Sequence, residues 1–459
     1  MSFDVAIVGG GVIGCAVARE LSRHRLSVAL LEARNDVGAG TSKANTAILH
    51  TGFDAAPGST ESRLVARGYA LLRAYAPSVG ISVEETGAVL VAWDDEQAAH
   101  LPQLAAKAAA NGHTSAEVID TAAVRELEPH LGDGVTGGMI VPGEHIIDPW
   151  TTPIAFVTEA VLNGCQLLTS FAVVSCVVAA DDTTLRATDG REIRARYVVN
   201  AAGLHGDTLH RLFGYTGFTI RPRRGELIVF DKLARPLLQR TILPVPTTQT
   251  KGVLVAPTVF GNIMLGPTAD EIDDREATGS TRAGIDTLLA KGRRILPALL
   301  NEEVTAVYAG LRAATEHSDY QLSAHADNRY VCLGGIRSTG LTSSMAVAEE
   351  AVALLASIGL TAPLREREQL RGANLTPLGE VDERPYQRGG TVVCHCERVT
   401  ADELEAAVTA TVPANDIDGL RRRTRALAGR CQGFYCAANV CALAAKRSGR
   451  SMDEWTGLA

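Results

Sequence analysis

The chain has 459 residues, 46% of them hydrophobic and 21% charged, a size and balance suited to two or three soluble domains. Its net charge of −8, from 44 basic and 52 acidic residues, argues against non-specific nucleic-acid binding. No apolar run approaches the roughly 18–20 residues that span a bilayer. The chain enters a strand at once, without the basic region, apolar region or cleavage site of a signal peptide. The expected location is therefore cytoplasmic, with peripheral attachment to the inner face of a membrane left open.

Val5 to Val8 is an apolar run of the kind buried on both faces of a parallel sheet. Gly9, Gly11 and Gly14 follow with G-x-G-x-x-G spacing. The first allows a tight turn, the second a close approach of backbone to a pyrophosphate, and the third close packing of helix on strand. The helix predicted over about 12–24 turns its N–H groups and positive dipole end toward that phosphate. Val28 to Leu31 is a second strand, closed by Glu32, a carboxylate suited to ribose hydroxyls. Strand, glycines, helix, strand and acid in this order predict a dinucleotide-binding fold.

Residues 38–54 are rich in small and hydroxyl side chains, with Thr41, Ser42, Asn45, Thr46 and Ala47 ahead of His50. After the glycine fingerprint, this stretch resembles the second flavin-contacting segment of the D-amino-acid oxidase-like superfamily of FAD-dependent oxidoreductases. The resemblance extends along the chain. Cys165 to Val178 is similar to a strand whose backbone, near Val173, contacts the adenine. Val198 to Gly203 is similar to the strand and turn beside the diphosphate. Gly310-Leu-Arg312 resembles the step whose arginine holds the substrate's anionic group. Gly334 to Thr342 opens a helix predicted to run to about Ala356, its N-terminus pointing at the flavin ring. The resemblance implies FAD contacts from Gly9, Gly11, Val12, Ile13, Gly14, Glu32, Ala33 and Arg34, from the 41–47 residues named above, and from Val173, Ala201, Ala202, Gly203, Gly335, Ile336, Gly340, Leu341 and Thr342.

The expected fold class is α/β with α+β. A Rossmann-like FAD-binding domain (1–79, 151–214 and 311–364) carries an inserted antiparallel-sheet substrate domain (80–150 and 215–310). Alternating strand signals fill the insertions, with hairpin turns expected at 251–252 and 261–262. A polar, proline- and glycine-bearing linker (365–390) precedes a small helical domain over 391–459.

Five of the nine cysteines lie between Cys394 and Cys441; the other four are scattered in apolar sequence and read as small core residues. The cluster begins Cys394-His-Cys396, and after 34 residues continues Cys431-Gln-Gly-Phe-Tyr-Cys436. Thr400 and Glu403 form a capping box opening one helix. A second helix, capped by Asp416, is predicted to about Ala428, and a third over about 437–447. Four thiols at helix ends can hold zinc or a [2Fe–2S] cluster, though Cys-x-Cys is tight for a zinc knuckle. The pattern resembles the [2Fe–2S] module of bacterioferritin-associated ferredoxins, which also occurs in the large subunits of anaerobic glycerol-3-phosphate dehydrogenases. Cys441 reads as a packing residue. Arg421, Arg422, Arg423, Arg425 and Arg430 precede the second cysteine pair; they read as a solvated face, or as charges that offset the cluster or dock an acidic carrier.

These resemblances imply an FAD-dependent dehydrogenase that oxidises a CH–OH group of a small anionic substrate, glycerol 3-phosphate first. Electrons would leave singly through [2Fe–2S] to a quinone, a flavoprotein carrier or a partner subunit in a hetero-oligomer. Arg312, Arg337 and Lys251 are the candidate anion contacts. His50 is the candidate base, since histidine titrates near working pH, with His317 as the alternative. Ile48 to Phe53 with Pro57-Gly-Ser59 also resembles L-2-hydroxyglutarate dehydrogenases. Phe53-Asp54 departs from the aromatic pair expected there. An amino acid or amine remains a third substrate class. A non-catalytic electron-transfer subunit and a folate-type or RNA-modifying flavoprotein are the readings outside dehydrogenase chemistry.

Overall fold

The computed structural model describes residues 1–246, 252–379 and 390–456. Its first layer is an eight-stranded sheet built on Ser2–Val8. That strand pairs in parallel with Val28–Leu31 on one side and with Glu192–Asn200 on the other. Val5, Ala6 and Ile7 have no solvent exposure, as a strand covered on both faces requires. Helices Val12–Ser22, Thr151–Leu162 and Gly340–Ser357 cover one face. Gly68 lets helix Thr60–Val79 lie directly on Gly340–Ser357, because a Cβ there would stand 2.3 Å from the Thr342 carbonyl oxygen. Arg67 and Arg63 then pair with Glu349 and Glu350 across the same two helices.

The stretch read as one strand from Cys165 to Val178 is two. Gln166–Leu168 pairs with Val28–Leu31, whereas Val173–Val178 pairs with Thr183–Ala187, at the opposite end of the strand order. Between them Ser170 takes φ +52°, and the Ser170 and Phe171 N–H groups donate to the Arg34 and Glu32 carbonyls. The loop is thereby pinned across the end of the Val28–Leu31 strand, and the chain must re-enter the sheet elsewhere. Cys176, expected in the core, is part exposed on the second of these strands.

A nine-stranded sheet forms the second layer, from Ala88–Ala92, Glu117–Ile119 and Gly137–Val141 in one insertion and six strands from Ile220–Phe230 to Val304–Thr315 in the other. It is not wholly antiparallel. Thr241–Pro244 runs parallel to Ala88–Ala92, and this pair joins the two sequence segments. The hairpin expected at 261–262 links Leu254–Pro257 to Ile263–Gly266, with Gly261 at φ +85°. The turn expected at 251–252 falls partly outside the described residues. A small third sheet pairs Ile48–Leu49 with His145–Ile147, and so sets residue 50 beside residue 144.

The C-terminal module is a hairpin, Val392–Cys394 with Val399–Thr400, followed by helices Ala401–Thr409, Ile417–Thr424, Ala437–Ser448 and Met452–Thr456. The Thr400–Glu403 capping box is formed in both directions. The second helix stops at Thr424 rather than near Ala428, because Arg425 and Leu427 take left-handed φ of 67° and 68°. Leu404, Leu420, Val440 and Trp455 close its core.

Three of the five arginines are not solvated. The side chains of Arg422, Arg423 and Arg425 are 3–5% exposed. Arg422 and Arg423 reach Asp36 in the first layer, and Arg425 reaches Glu397. Arg430 pairs with Glu303, and only Arg421, 3.8 Å from Asp418, stays loosely held. The cluster of basic residues serves to seat the module on the rest of the chain.

Candidate functional site

A cavity of about 580 Å³ runs from the glycine turn to the N-terminus of helix Gly340–Ser357. Every residue named above as an expected FAD contact lines it except Gly14 and Thr342. Gly14 stands behind the wall, where a Cβ would be 1.8 Å from the Gly9 carbonyl oxygen, so only glycine lets helix and strand approach. Gly9, at φ +112°, would collide with the Ala201 carbonyl oxygen at 2.3 Å. Backbone of the glycine turn and of the 198–203 turn therefore meets edge to edge. Thr342 is fully buried; its hydroxyl accepts the His50 N–H at 3.0 Å.

The lining of the cavity has the chemistry a dinucleotide needs. The N-termini of helices Val12–Ser22 and Gly340–Ser357 both open into it, and neither has a side-chain cap. Among the described residues, only the Val12 N–H of these first turns has a side-chain acceptor, Ser42 Oγ at 2.9 Å. First-turn N–H groups and the dipole are thus available to negative charge at both ends. Glu32 is held by the Gly10 and Arg34 N–H groups at 2.7 and 2.8 Å. Burial raises its carboxyl above the usual range, against those donors.

At the helix Gly340–Ser357 end the cavity is lined by His50. The ring's Nδ1 lies 3.0 Å from Glu144, whose side chain is 1% exposed. Arg312 does not line this cavity; Ala313, next on strand Val304–Thr315, does. On the face of that strand shared by Tyr308, Gly310 and Arg312, the Tyr308 hydroxyl donates to the Asn45 carbonyl, and a Cβ on Gly310 would meet the Ala44 carbonyl oxygen at 2.0 Å. Arg312 thus shares the face pressed against the 41–47 loop. Among the described residues no carboxylate pairs with it, and its recorded contact is the Thr268 carbonyl at 3.4 Å. Burial, with Arg223 nearby, pulls its guanidinium down to about 10.

Arg337 also lines the cavity, but its guanidinium donates to the Ser318 carbonyl and stands 3.6 Å from Glu61. His317 is exposed, with Nε2 at 3.1 Å from the Gly217 carbonyl, away from this cavity. Lys251 lies outside the described residues.

In the C-terminal module the four thiols stand as two pairs. Cys396 shares a hydrogen bond with Cys431, and Cys394 with Cys436. Among the described residues, no three metal-ligating side chains gather at single-ion spacing. A zinc site needs four ligands about one point, whereas a two-iron cluster spreads four thiolates over two irons. The paired arrangement suits the second. N–H groups of Tyr435 and Gly433 bring the Cys431 thiol below its ordinary range, as donors to a thiolate do. Burial and neighbouring Cys394 push Cys436 up to about 12, a penalty that bonding to iron removes, since metal ligands bind deprotonated. Gly429 is required beside this site, because a Cβ would stand 2.4 Å from Cys396 Cβ. Cys441 is buried within helix Ala437–Ser448.

Sequence reasoning passed over Glu144 and Asp36. Each is an isolated acid in ordinary sequence, and only strand pairing or module docking gives it a partner.

Residues 4–354 match the model of the FAD dependent oxidoreductase family, and residues 392–446 that of the BFD-like [2Fe-2S] binding domain. The chain is similar to a glycerol 3-phosphate dehydrogenase of Caloramator mitchellensis, 34% identical, the match covering 98% of this chain and 96% of that one. It is also similar to the human mitochondrial L-2-hydroxyglutarate dehydrogenase, 32% identical over 58% of this chain and 61% of that one. Among solved structures, FAD-bound L-alpha-glycerophosphate oxidase of Mycoplasma pneumoniae superposes with TM-score 0.77 at 28% identity, covering 82% of this chain and 99% of that one.

Proposed function

Since the chain belongs to the FAD-dependent oxidoreductase family and carries a [2Fe-2S] domain, we propose that it is a dehydrogenase of glycerol 3-phosphate. The electrons would leave through the cluster to a one-electron acceptor: a quinone, a flavoprotein carrier or a partner subunit. The observation that carries the reading is Arg312, a part-buried guanidinium with no carboxylate partner among the described residues, on the strand that flanks the cavity holding His50. A guanidinium in that state is an anion site waiting for its ion, and phosphate suits its paired donors.

Bound FAD supplies the two-electron acceptor for a C–H hydride. The chain's own residues do the rest. Arg312 fixes the phosphate end of the substrate, which sets the secondary alcohol at a defined distance from it. His50 takes the hydroxyl proton, its ring held at Nδ1 by Glu144. The segment 41–47 closes one side of the cavity, and Thr41 Oγ1 ties it to the Leu311 carbonyl at 2.8 Å on the Arg312 strand. Lys251 is the secondary anion contact in this reading. Arg337 is already engaged with Glu61 and the Ser318 carbonyl, so its part is to shape the wall. The segments named for the FAD-binding, substrate and cluster domains are likewise the proposed division of labour.

The test is anaerobic mixing with glycerol 3-phosphate, L-2-hydroxyglutarate, L-lactate and amino acids. Bleaching of the flavin by glycerol 3-phosphate alone supports the reading; no bleaching by it removes the reading. L-2-hydroxyglutarate is the second substrate class, favoured by the 32% identical relative and by the fact that a guanidinium binds a carboxylate as well as a phosphate.

A further inference from the structure

Asp36 lies four residues beyond Glu32 and just ahead of the loop whose residues from Gly40 onward line the FAD cavity. Its carboxylate is 1% exposed. Arg423 meets it with two nitrogens, at 2.6 and 2.8 Å, and Arg422 with one, at 2.7 Å. Both arginines belong to helix Ile417–Thr424 of the [2Fe-2S] domain. Arg422 donates also to the Val37 carbonyl and to Asp418, and Lys43 at the far end of the same loop pairs with Asp418. Asn415 reaches the Asn35 carbonyl. Loop 35–43 and this helix are therefore one mechanical unit. Gly419 is required at the contact, because a Cβ would stand 2.1 Å from Asp36 Oδ2.

A buried carboxylate enclosed by two guanidiniums has no half-formed state of comparable energy, since withdrawing either partner strands buried charge. It fixes a geometry more than it adds stability. Past Thr424 the chain turns through Arg425 and Leu427 and brings Gly429 against Cys396 and Cys431 to its partner thiol. The place of helix Ile417–Thr424 thus sets the place of the cluster relative to the flavin.

We propose that Asp36 is the positioning residue for electron transfer between the two prosthetic groups: through Arg422 and Arg423 it registers the cluster against the loop that holds FAD. Each transfer moves one electron from reduced flavin to the cluster, one iron passing from ferric to ferrous. An external one-electron acceptor then empties the cluster, and two such cycles return the flavin to its oxidised state. Tunnelling falls off exponentially with separation, so a module free to shift on its seat transfers slowly.

This rests on the flavin-to-cluster route proposed above, but its test needs no substrate. Bound flavin is flash-photoreduced with EDTA as donor, and the flavin and sulfur-to-iron bands are followed separately. Cluster reduction in the wild-type holoprotein is the control for the route itself; its absence overturns that route. In Asp36→Asn, with FAD and iron contents measured, flavin photoreduction is expected unchanged and cluster reduction slowed at least about 10-fold. Hydrogen exchange over 417–425 should rise at the same time. Arg423→Gln leaves the FAD loop intact and should give the same slowing; it decides the matter if Asp36→Asn fails to retain FAD. Wild-type cluster reduction and unchanged exchange in Arg423→Gln would overturn the proposal.

Discussion

The carboxylate of Glu144 stands 3.0 Å from Nδ1 of His50, while the Thr51 N–H and hydroxyl donate to its other oxygen at 2.5 and 2.7 Å. Held by three groups and 1% exposed, Glu144 cannot swing away from the ring. It fixes the imidazole at the cavity wall and, as a neighbouring carboxylate, favours the cation that forms when His50 accepts a proton. Two variants separate the roles. His50→Asn removes the base and should slow anaerobic flavin bleaching by ~10²–10⁴-fold. Glu144→Gln keeps the shape but loses the charge, and should slow it less, by ~10–100-fold, as outer residues that orient a reacting group do. Full-rate bleaching in His50→Asn would take the base away from His50.

Arg312 is expected to act on binding rather than on chemistry. A charge-assisted hydrogen bond contributes about 1.5–3 kcal/mol, so Arg312→Ala should raise KM for the anionic substrate by ~10–100-fold. The FAD content should be unchanged. Arg312→Lys should recover part of the affinity, since an ammonium keeps the charge but not the paired geometry. Steady-state kinetics against glycerol 3-phosphate and uncharged glycerol check this. An equal loss for both substrates would show that the residue maintains the fold and not the anion.

The parts of the fold legible in the sequence are those set by backbone chemistry. Gly9 and Gly14 could be placed because no side chain fits where they stand. The helix opening at Gly340 could be placed from its apolar residues at helical spacing. The Thr400–Glu403 box needed only local spacing. What could not be read depends on long-range partners. Glu144 faces His50 through the pairing of Leu49 with His145. The solvated reading of Arg422 and Arg423 failed because their partner, Asp36, is 386 residues from the first of them. A strand break at Ser170 was invisible because φ +52° there is imposed by the Arg34 and Glu32 carbonyls, not by the residue itself.

The four cluster cysteines should differ in what their loss does. Cys396 is exposed and Cys431 part exposed, whereas Cys394 and Cys436 are each 1% exposed in the module's core. Cys396→Ser should lower iron content and abolish the sulfur-to-iron band with the flavin spectrum intact. Substrate should still bleach the flavin, while turnover with a one-electron acceptor falls. Cys436→Ser should do the same and also loosen the module, since a buried hydroxyl without a partner costs about 1–3 kcal/mol. Iron assays with thermal unfolding of the module would show this order, and equal unfolding of the two variants would count against it.

Acid should destabilise the protein through His210. The ring is 4% exposed, with Nδ1 3.2 Å from the Tyr330 hydroxyl and Tyr215, Phe218 and His325 around it. Arg211 follows it on its own helix and Asp207 lies one turn before. Burial, then His325 and Arg211, pull its imidazole down to about 4, against the opposing charge of Asp207. In the unfolded chain the same group titrates near ~6.5. Between these values the unfolded state binds a proton that the folded state refuses, so stability falls as pH drops from about 6.5 toward 4 and levels off below it. His210→Phe removes that proton uptake while keeping a ring in the cluster. Urea unfolding at pH 7 and at pH 5 should therefore show a smaller loss of stability in His210→Phe than in the wild type. An equal loss in both would place the acid sensitivity elsewhere.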